Sequence, residues 1–125
     1  MREEVKNNLI QADKDLETAT QLLNLDIYYA SVFFSQQAAE KSLKALYIYQ
    51  KNELPKTHNL VELTRELNAP AEIQDAAREL TPDYLTTRYV NAANGIPADM
   101  YTESSAQMHL EYAKSILSWT KQLIK

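Results

Sequence analysis

The side chains best suited to chemistry are cations that could meet a phosphate. Lys41 and Lys44 stand in the run Phe34-Ser-Gln-Gln-Ala-Ala-Glu-Lys-Ser-Leu-Lys-Ala-Leu-Tyr47, His58 follows eleven residues later, and Arg88 lies in Asp83-Tyr-Leu-Thr-Thr-Arg-Tyr89. An arginine offers a planar fork of donors that matches two phosphate oxygens, and a lysine ammonium supplies a compact charge. Joined in a folded cleft, Lys41, Lys44 and Arg88 would contact phosphate, with His58 near the ligand or a partner. The same residues also fit a blander role. Glu40 and Lys44 are four apart on a helix, a pair worth about 0.2–0.5 kcal/mol on a solvated face, and Lys41 would extend that face. Thr57 or His58 at the entrance to the next helix would hydrogen-bond exposed backbone donors, or His58 would make an interhelical polar contact.

Other chemistries find little support. Cysteine is absent, which removes disulfides, thiolate nucleophiles and cysteine-based metal sites. Glu3-Glu4 and Asp13/Asp15 do not align on one helical face, and no histidine and carboxylate cluster accompanies them, so neither a metal nor a cofactor is expected. There is no glycine-rich phosphate loop and no recognisable serine-histidine-acid context. His109 follows Ala106 by three and precedes Leu110, which sets it at the border of a helix interface. A net charge of -4 and a pI of about 5.2 disfavour nonspecific duplex binding, although a local cationic patch can still engage RNA or a nucleotide. No apolar run approaches a membrane span, and the amino terminus is charged and periodic rather than a signal peptide, so a cytoplasmic protein with no membrane partner is expected.

Eight tyrosines against two phenylalanines point to surfaces that combine apolar area with polar contacts. Tyr84, Tyr89 and Tyr101 surround an irregular stretch and are candidates for a dimer or heteropartner interface. Tyr28, Tyr29, Tyr47 and Tyr49 fit half-buried packing, and Trp119 fits a core or groove position better than a base-stacking platform.

The elements that must position these residues are helices. One glycine and four prolines among 125 residues, 45% of them hydrophobic, describe one domain over 1–125 built from long, seldom interrupted elements. Val5, Leu9, Ala12, Leu16 and Ala19 recur at steps of three and four, which predicts a first helix over about 3–24. A turn at Asn24-Leu-Asp26 follows, with Asp26 placed to cap a second helix that ends near Lys51. In that helix Ala30, Ala38, Ala39, Ser42 and Ala45 allow close approach of a neighbour, while Phe33, Phe34, Leu43 and Leu46 fill the remaining space. Leu60, Leu63 and Leu67 give a short third helix. Pro70 suits the first turn of a fourth, which carries Ile73, Ala76, Ala77 and Leu80 and closes at Thr81-Pro82. Periodicity breaks between Pro82 and Met100, and long connections in small bundles are often functional. Thr102 is a plausible cap for a last helix reaching to near Lys125. The fold class is all-α: an antiparallel four-helix-type up-down bundle with an additional short helix.

With these pieces in order, the chain resembles the HEPN family, the higher-eukaryote and prokaryote nucleotide-binding domains. The resemblance rests on Tyr29-Ala-Ser-Val-Phe-Phe-Ser-Gln-Gln-Ala-Ala-Glu-Lys-Ser-Leu-Lys-Ala-Leu46, Pro55-Lys-Thr-His-Asn-Leu60, Asp83-Tyr84 with Arg88-Tyr89, and Tyr101 followed by Ala113, Ile116 and Trp119. It implies a helical bundle that is commonly a homodimer and, in prokaryotes, often the partner of a minimal nucleotidyltransferase; some relatives form toxin-antitoxin pairs. The ribonuclease branch of the family uses an arginine followed, after four to six intervening residues, by a histidine. Arg88 is the matching arginine, but Ala93, Asn94 and Gly95 occupy the histidine positions. Alanine and glycine cannot move a proton, and asparagine cannot replace an imidazole as acid or base. The resemblance therefore implies a non-catalytic partner of a small nucleotidyltransferase that contacts nucleotide or RNA phosphate through Arg88, Lys41, Lys44 and His58. The alternatives are a divergent dimeric metal-independent ribonuclease and a stand-alone nucleotide- or RNA-binding module.

Overall fold

The computed structural model describes residues 2–82 and 95–125. Within them lie helices α1 (Glu3–Asn24), α2 (Tyr28–Lys51), α3 (Leu60–Glu66) and α4 (Ala71–Leu80), a 3-10 turn (Pro97–Asp99) and α5 (Glu103–Leu123). The all-α bundle expected from periodicity is what forms.

Three long helices carry the frame. Val5 at the start of α1 packs with Ala45 and Ile48 near the end of α2 and with Ile124 just past α5. Farther along α1, Ala12 meets Ala38 and Leu117. Thus α1 runs antiparallel to both α2 and α5, the alternation of an up-down bundle. The α1–α2 seam is made of small residues: Ala12, Ala19, Ser31, Ser35, Ala38 and Ser42 are completely buried. Its closeness shows in one bond, since Ser31 Oγ on α2 donates to the Ala19 carbonyl on α1 at 2.8 Å. The second core region joins the C-terminal half of α2 to α3, α4 and α5 through Leu43, Leu46, Leu60, Leu63, Leu80 and Ile116. Each such side chain contributes about 1.5–3 kcal/mol on burial.

The helix ends refine the sequence expectations. Asp26 does not cap α2, whose start has no side-chain cap. It sits in the left-handed region at φ 63°, with its N–H on the Leu23 carbonyl at 3.0 Å and the Ile27 N–H on the Leu22 carbonyl at 2.9 Å. This is a Schellman closure of α1, satisfying carbonyls that the helix itself leaves open. Asn68, at φ 55°, closes α3 in the same way, with the Ala69 N–H on the Thr64 carbonyl at 2.9 Å. Asn52, also at φ 55°, ends α2 before Pro55 is reached. Thr57 Oγ1 accepts from the exposed Asn59 N–H at 3.0 Å, the backbone contact expected of it, while the cap of α3 itself is Asn59, whose Oδ1 accepts from the Val61 and Glu62 N–H groups at 2.9 and 3.1 Å. Pro70 occupies the cap position of α4, one residue before its first turn. Thr102 caps α5 as expected, in a reciprocal box with Ser105. Phe33 and Phe34 stay half-buried in edge-to-face contact at 5.0 Å instead of filling the core.

Candidate functional site

The periodicity that makes α1 and α2 amphipathic also puts polar residues into their apolar stripes. Asp15 falls between Ala12 and Ala19, and Gln36 and Glu40 fall between Val32 and Leu43. Both carboxylates are therefore carried into the bundle, with Asp15 and Glu40 side chains only 5% and 7% exposed. A buried carboxylate needs a partner, because charge removed from water is costly until it is paired and hydrogen-bonded. Lysines supply the pairing. Lys41 Nζ donates to Asp15 Oδ2 at 2.7 Å across the α1–α2 interface, and Lys44 Nζ reaches Glu40 Oε2 at 2.9 Å one turn along α2.

Amides complete the chain of contacts. Gln11 donates to Asp15 Oδ1 at 2.9 Å, Gln37 Nε2 to Gln36 Oε1 at 2.7 Å, and Gln36 Nε2 to Glu40 Oε1 at 3.3 Å. Lys41 also reaches Gln37 Oε1 at 3.5 Å. His58 Nδ1 lies 3.1 Å from Glu40 Oε2, so the α2–α3 connector is tied to the carboxylate that Lys44 holds. Gln11, Asp15, Lys41, Gln37, Gln36, Glu40, Lys44 and His58 thus form one connected polar edge spanning α1, α2 and the connector. Burial pushes the Glu40 carboxyl up, but the hydrogen bond and charge of Lys44, with His58 and Gln36, outweigh it and leave its pKa below the usual glutamate value.

The solvated-face reading of Glu40, Lys41 and Lys44 is corrected by this burial. The lysines are not free surface charges; their heads are fixed from beneath by carboxylates that are almost fully enclosed. Each ammonium has three N–H donors. Among the described residues, Lys41 commits two, to Asp15 and Gln37, and Lys44 one, to Glu40. The remaining donors, on side chains 28% and 24% exposed, can meet an acceptor arriving from solvent. The charges of Asp15, Glu40, Lys41 and Lys44 cancel in sum, but with the negative ends inside and the positive ends outside. Such a layer suits a phosphate oxygen at the surface.

His58 realises the interhelical polar contact anticipated for it. Tyr101 is half-buried in an edge-on contact with His109, ring centres 6.0 Å apart. His109 in turn places Nδ1 2.6 Å from the Ser105 carbonyl and stacks edge-on against Tyr112 at 6.1 Å. The other sequence candidates, Arg88, Tyr84 and Tyr89, lie outside the described residues, as do Ala93 and Asn94. Gln11, Asp15, Gln36 and Gln37 are the participants that sequence reasoning missed as parts of a site. Among the described residues, no group of three or more histidine, aspartate or glutamate side chains is placed to hold a metal, and no helix is long and apolar enough to cross a membrane.

Known proteins share this architecture. The chain superposes on TT1696 from Thermus thermophilus with a TM-score of 0.89 at 29% identity, covering 97% of this chain and 98% of that one. It superposes on ST0689, an archaeal HEPN homologue, with a TM-score of 0.87 at 35% identity over all of both chains. A HEPN domain protein of Thermotoga maritima matches with a TM-score of 0.75 at 26% identity, covering 94% of this chain and 96% of that one. In sequence, the protein named "Putative toxin MJ1304" of Methanocaldococcus jannaschii is 28% identical over 92% of this chain and 84% of its own length. The HEPN domain model matches residues 5–123, and with that near-complete span the chain belongs to the HEPN domain family.

Proposed function

We propose that this chain is a non-catalytic HEPN domain that works as a homodimeric partner of a small nucleotidyltransferase, contacting nucleotide or RNA phosphate through Lys41, Lys44, His58 and Arg88. The observation that carries the phosphate contact is the anchored pair of ammonium heads. Lys41 and Lys44 stand on buried Asp15 and Glu40, each with a donor to spare, so they meet an anion without first being ordered. Metal-dependent transfer chemistry would belong to the partner, whose carboxylates would hold the ions. A cytoplasmic location accords with this role.

A second reading, a divergent metal-independent ribonuclease, is favoured by one finding, the toxin name of the Methanocaldococcus jannaschii relative. Against it stands the replacement of the expected histidine by Ala93, Asn94 or Gly95. His58 could supply an imidazole, but its Nδ1 is turned to Glu40.

Fluorescence anisotropy with a labelled single-stranded RNA, alongside a cleavage assay on the same RNA, separates the two. Lys41→Ala combined with Lys44→Ala is expected to weaken binding at least tenfold and to flatten its salt dependence, with no turnover by the parent protein. Unchanged affinity in the double variant would remove the phosphate contact. Turnover abolished by Arg88→Ala would establish the ribonuclease instead.

A further inference from the structure

An open groove of about 540 Å³ runs between α4 and α5, away from the Asp15–Glu40 edge. Ile73 and Ala76 line it from α4, and half-buried Tyr112 and Trp119, seven residues apart on α5, form its aromatic wall. Glu72 and Ser115 stand at the rim. The side chains of Glu72, Tyr112, Ser115 and Trp119 make no hydrogen bond or ion pair among the described residues. Lys114, the one cation at the rim among the described residues, is already paired with Glu111 at 3.4 Å. The groove thus combines an exposed carboxylate, without an ion-pair partner among the described residues, with two half-buried aromatic side chains.

We infer that this groove docks an arginine side chain projecting from a partner protein. The charge complementarity is specific in kind. A guanidinium is planar and weakly hydrated, lies flat on an indole, and directs paired N–H donors at a carboxylate. Glu72 and Trp119, on opposite sides of the groove, supply those two contacts, while Ile73 and Ala76 accept the aliphatic stem. Tryptophan and tyrosine in a groove are also the residue types that dominate binding energy at interfaces. The inference is independent of the phosphate-contacting edge on α2, so either can fail without the other.

Trp119 is the only tryptophan in the chain, so its emission reports the groove directly. The test titrates the full-length protein with a short amphipathic helical peptide bearing arginine and with the same peptide bearing citrulline, which keeps the shape and removes the charge. A saturable change in Trp119 emission with the arginine peptide is expected, at least fivefold weaker with citrulline. Glu72→Gln, an exposed position whose variant is checked for folding by circular dichroism, should weaken the arginine peptide to the same extent. Equal titration by both peptides, or no saturable change with either, overturns the inference. It is equally overturned if adenosine saturates the groove in preference to the peptide, or if Trp119→Ala abolishes self-association of the protein, since a nucleobase or a second copy would then be the occupant.

Discussion

Glu40→Gln tests whether the buried carboxylate organises the cationic edge. In the native protein Glu40 accepts from Lys44 at 2.9 Å, from His58 at 3.1 Å and from Gln36 at 3.3 Å. The amide keeps the shape and one acceptor oxygen but turns an NH2 group toward donors and leaves Lys44 without its counter-charge. A hydrogen bond to a charged group contributes about 1.5–3 kcal/mol, and the Lys44 bond is the principal one, because the His58 side chain is 66% exposed. The expected loss is about 2 kcal/mol. At about 2.1 cal/mol/K of unfolding entropy per residue, a chain of 125 residues should lose about 8 °C in Tm. The sign with pH follows from the lowered pKa of Glu40. Its stabilisation is fully present above the unfolded value of about 4.3 and fades as pH falls through the lower folded value. The Tm gap between parent and variant should therefore be constant from pH 7 to about pH 5 and narrow below about pH 4. Lys44→Met, costly in the parent, should cost about 1–2 kcal/mol less in the Glu40→Gln background. Differential scanning fluorimetry across pH measures all of this. A gap under a degree or two at pH 7, or one that persists undiminished at pH 3, would refute this coupling of Glu40 to the cationic edge.

Four further outcomes follow from the packing. Asp15→Asn removes the anchor of Lys41 and should cost about 1–2 kcal/mol in urea unfolding at pH 7. Ser35→Ala should raise Tm by about 4 °C, because the Ser35 hydroxyl is buried without a hydrogen-bond partner among the described residues and its loss relieves about 1 kcal/mol of uncompensated desolvation. Thr102→Ala breaks the α5 capping box with Ser105 and should cost about 1 kcal/mol, read as a fall in urea midpoint without a change in slope. Leu43→Ala, at a fully buried position of the larger core, should cost about 2–5 kcal/mol by the same measurement.

Helical periodicity makes most of this fold legible. The stripes Val5, Ala12, Ala19 and Leu60, Leu63, Leu67 are buried as their spacing predicts, and the Thr102 cap holds. The departures are local and have local causes. Asp26 is open to two roles, capping α2 or closing α1; the geometry of Leu22 through Ile27 selects the second, which propensity alone does not distinguish. Asn59 takes the α3 cap over its neighbours Thr57 and His58 because its side-chain oxygen reaches two amide donors at once. Phe33 and Phe34 are large enough to suggest core, but small residues already fill the α1–α2 seam.

The candidate site is legible in its cations and in the Glu40–Lys44 pair, but not in its depth. Residue type and spacing single out Lys41, Lys44 and His58, but as a solvated strip, because an i,i+4 pair says nothing about depth. The available signal is the position of the acids: Asp15 and Glu40 interrupt apolar stripes, and a carboxylate at a buried helical position requires a nearby donor. The specific pairing of Asp15 with Lys41, 26 residues away, depends on the register between α1 and α2, which is set by tertiary packing.

Native mass spectrometry of the protein recovered gently from its source cells reports both copy number and a retained partner in one intact mass. The expected result is an assembly holding two copies of this chain together with a small nucleotidyltransferase. A homodimer or monomer with no such partner, under conditions that preserve known complexes, would contradict it.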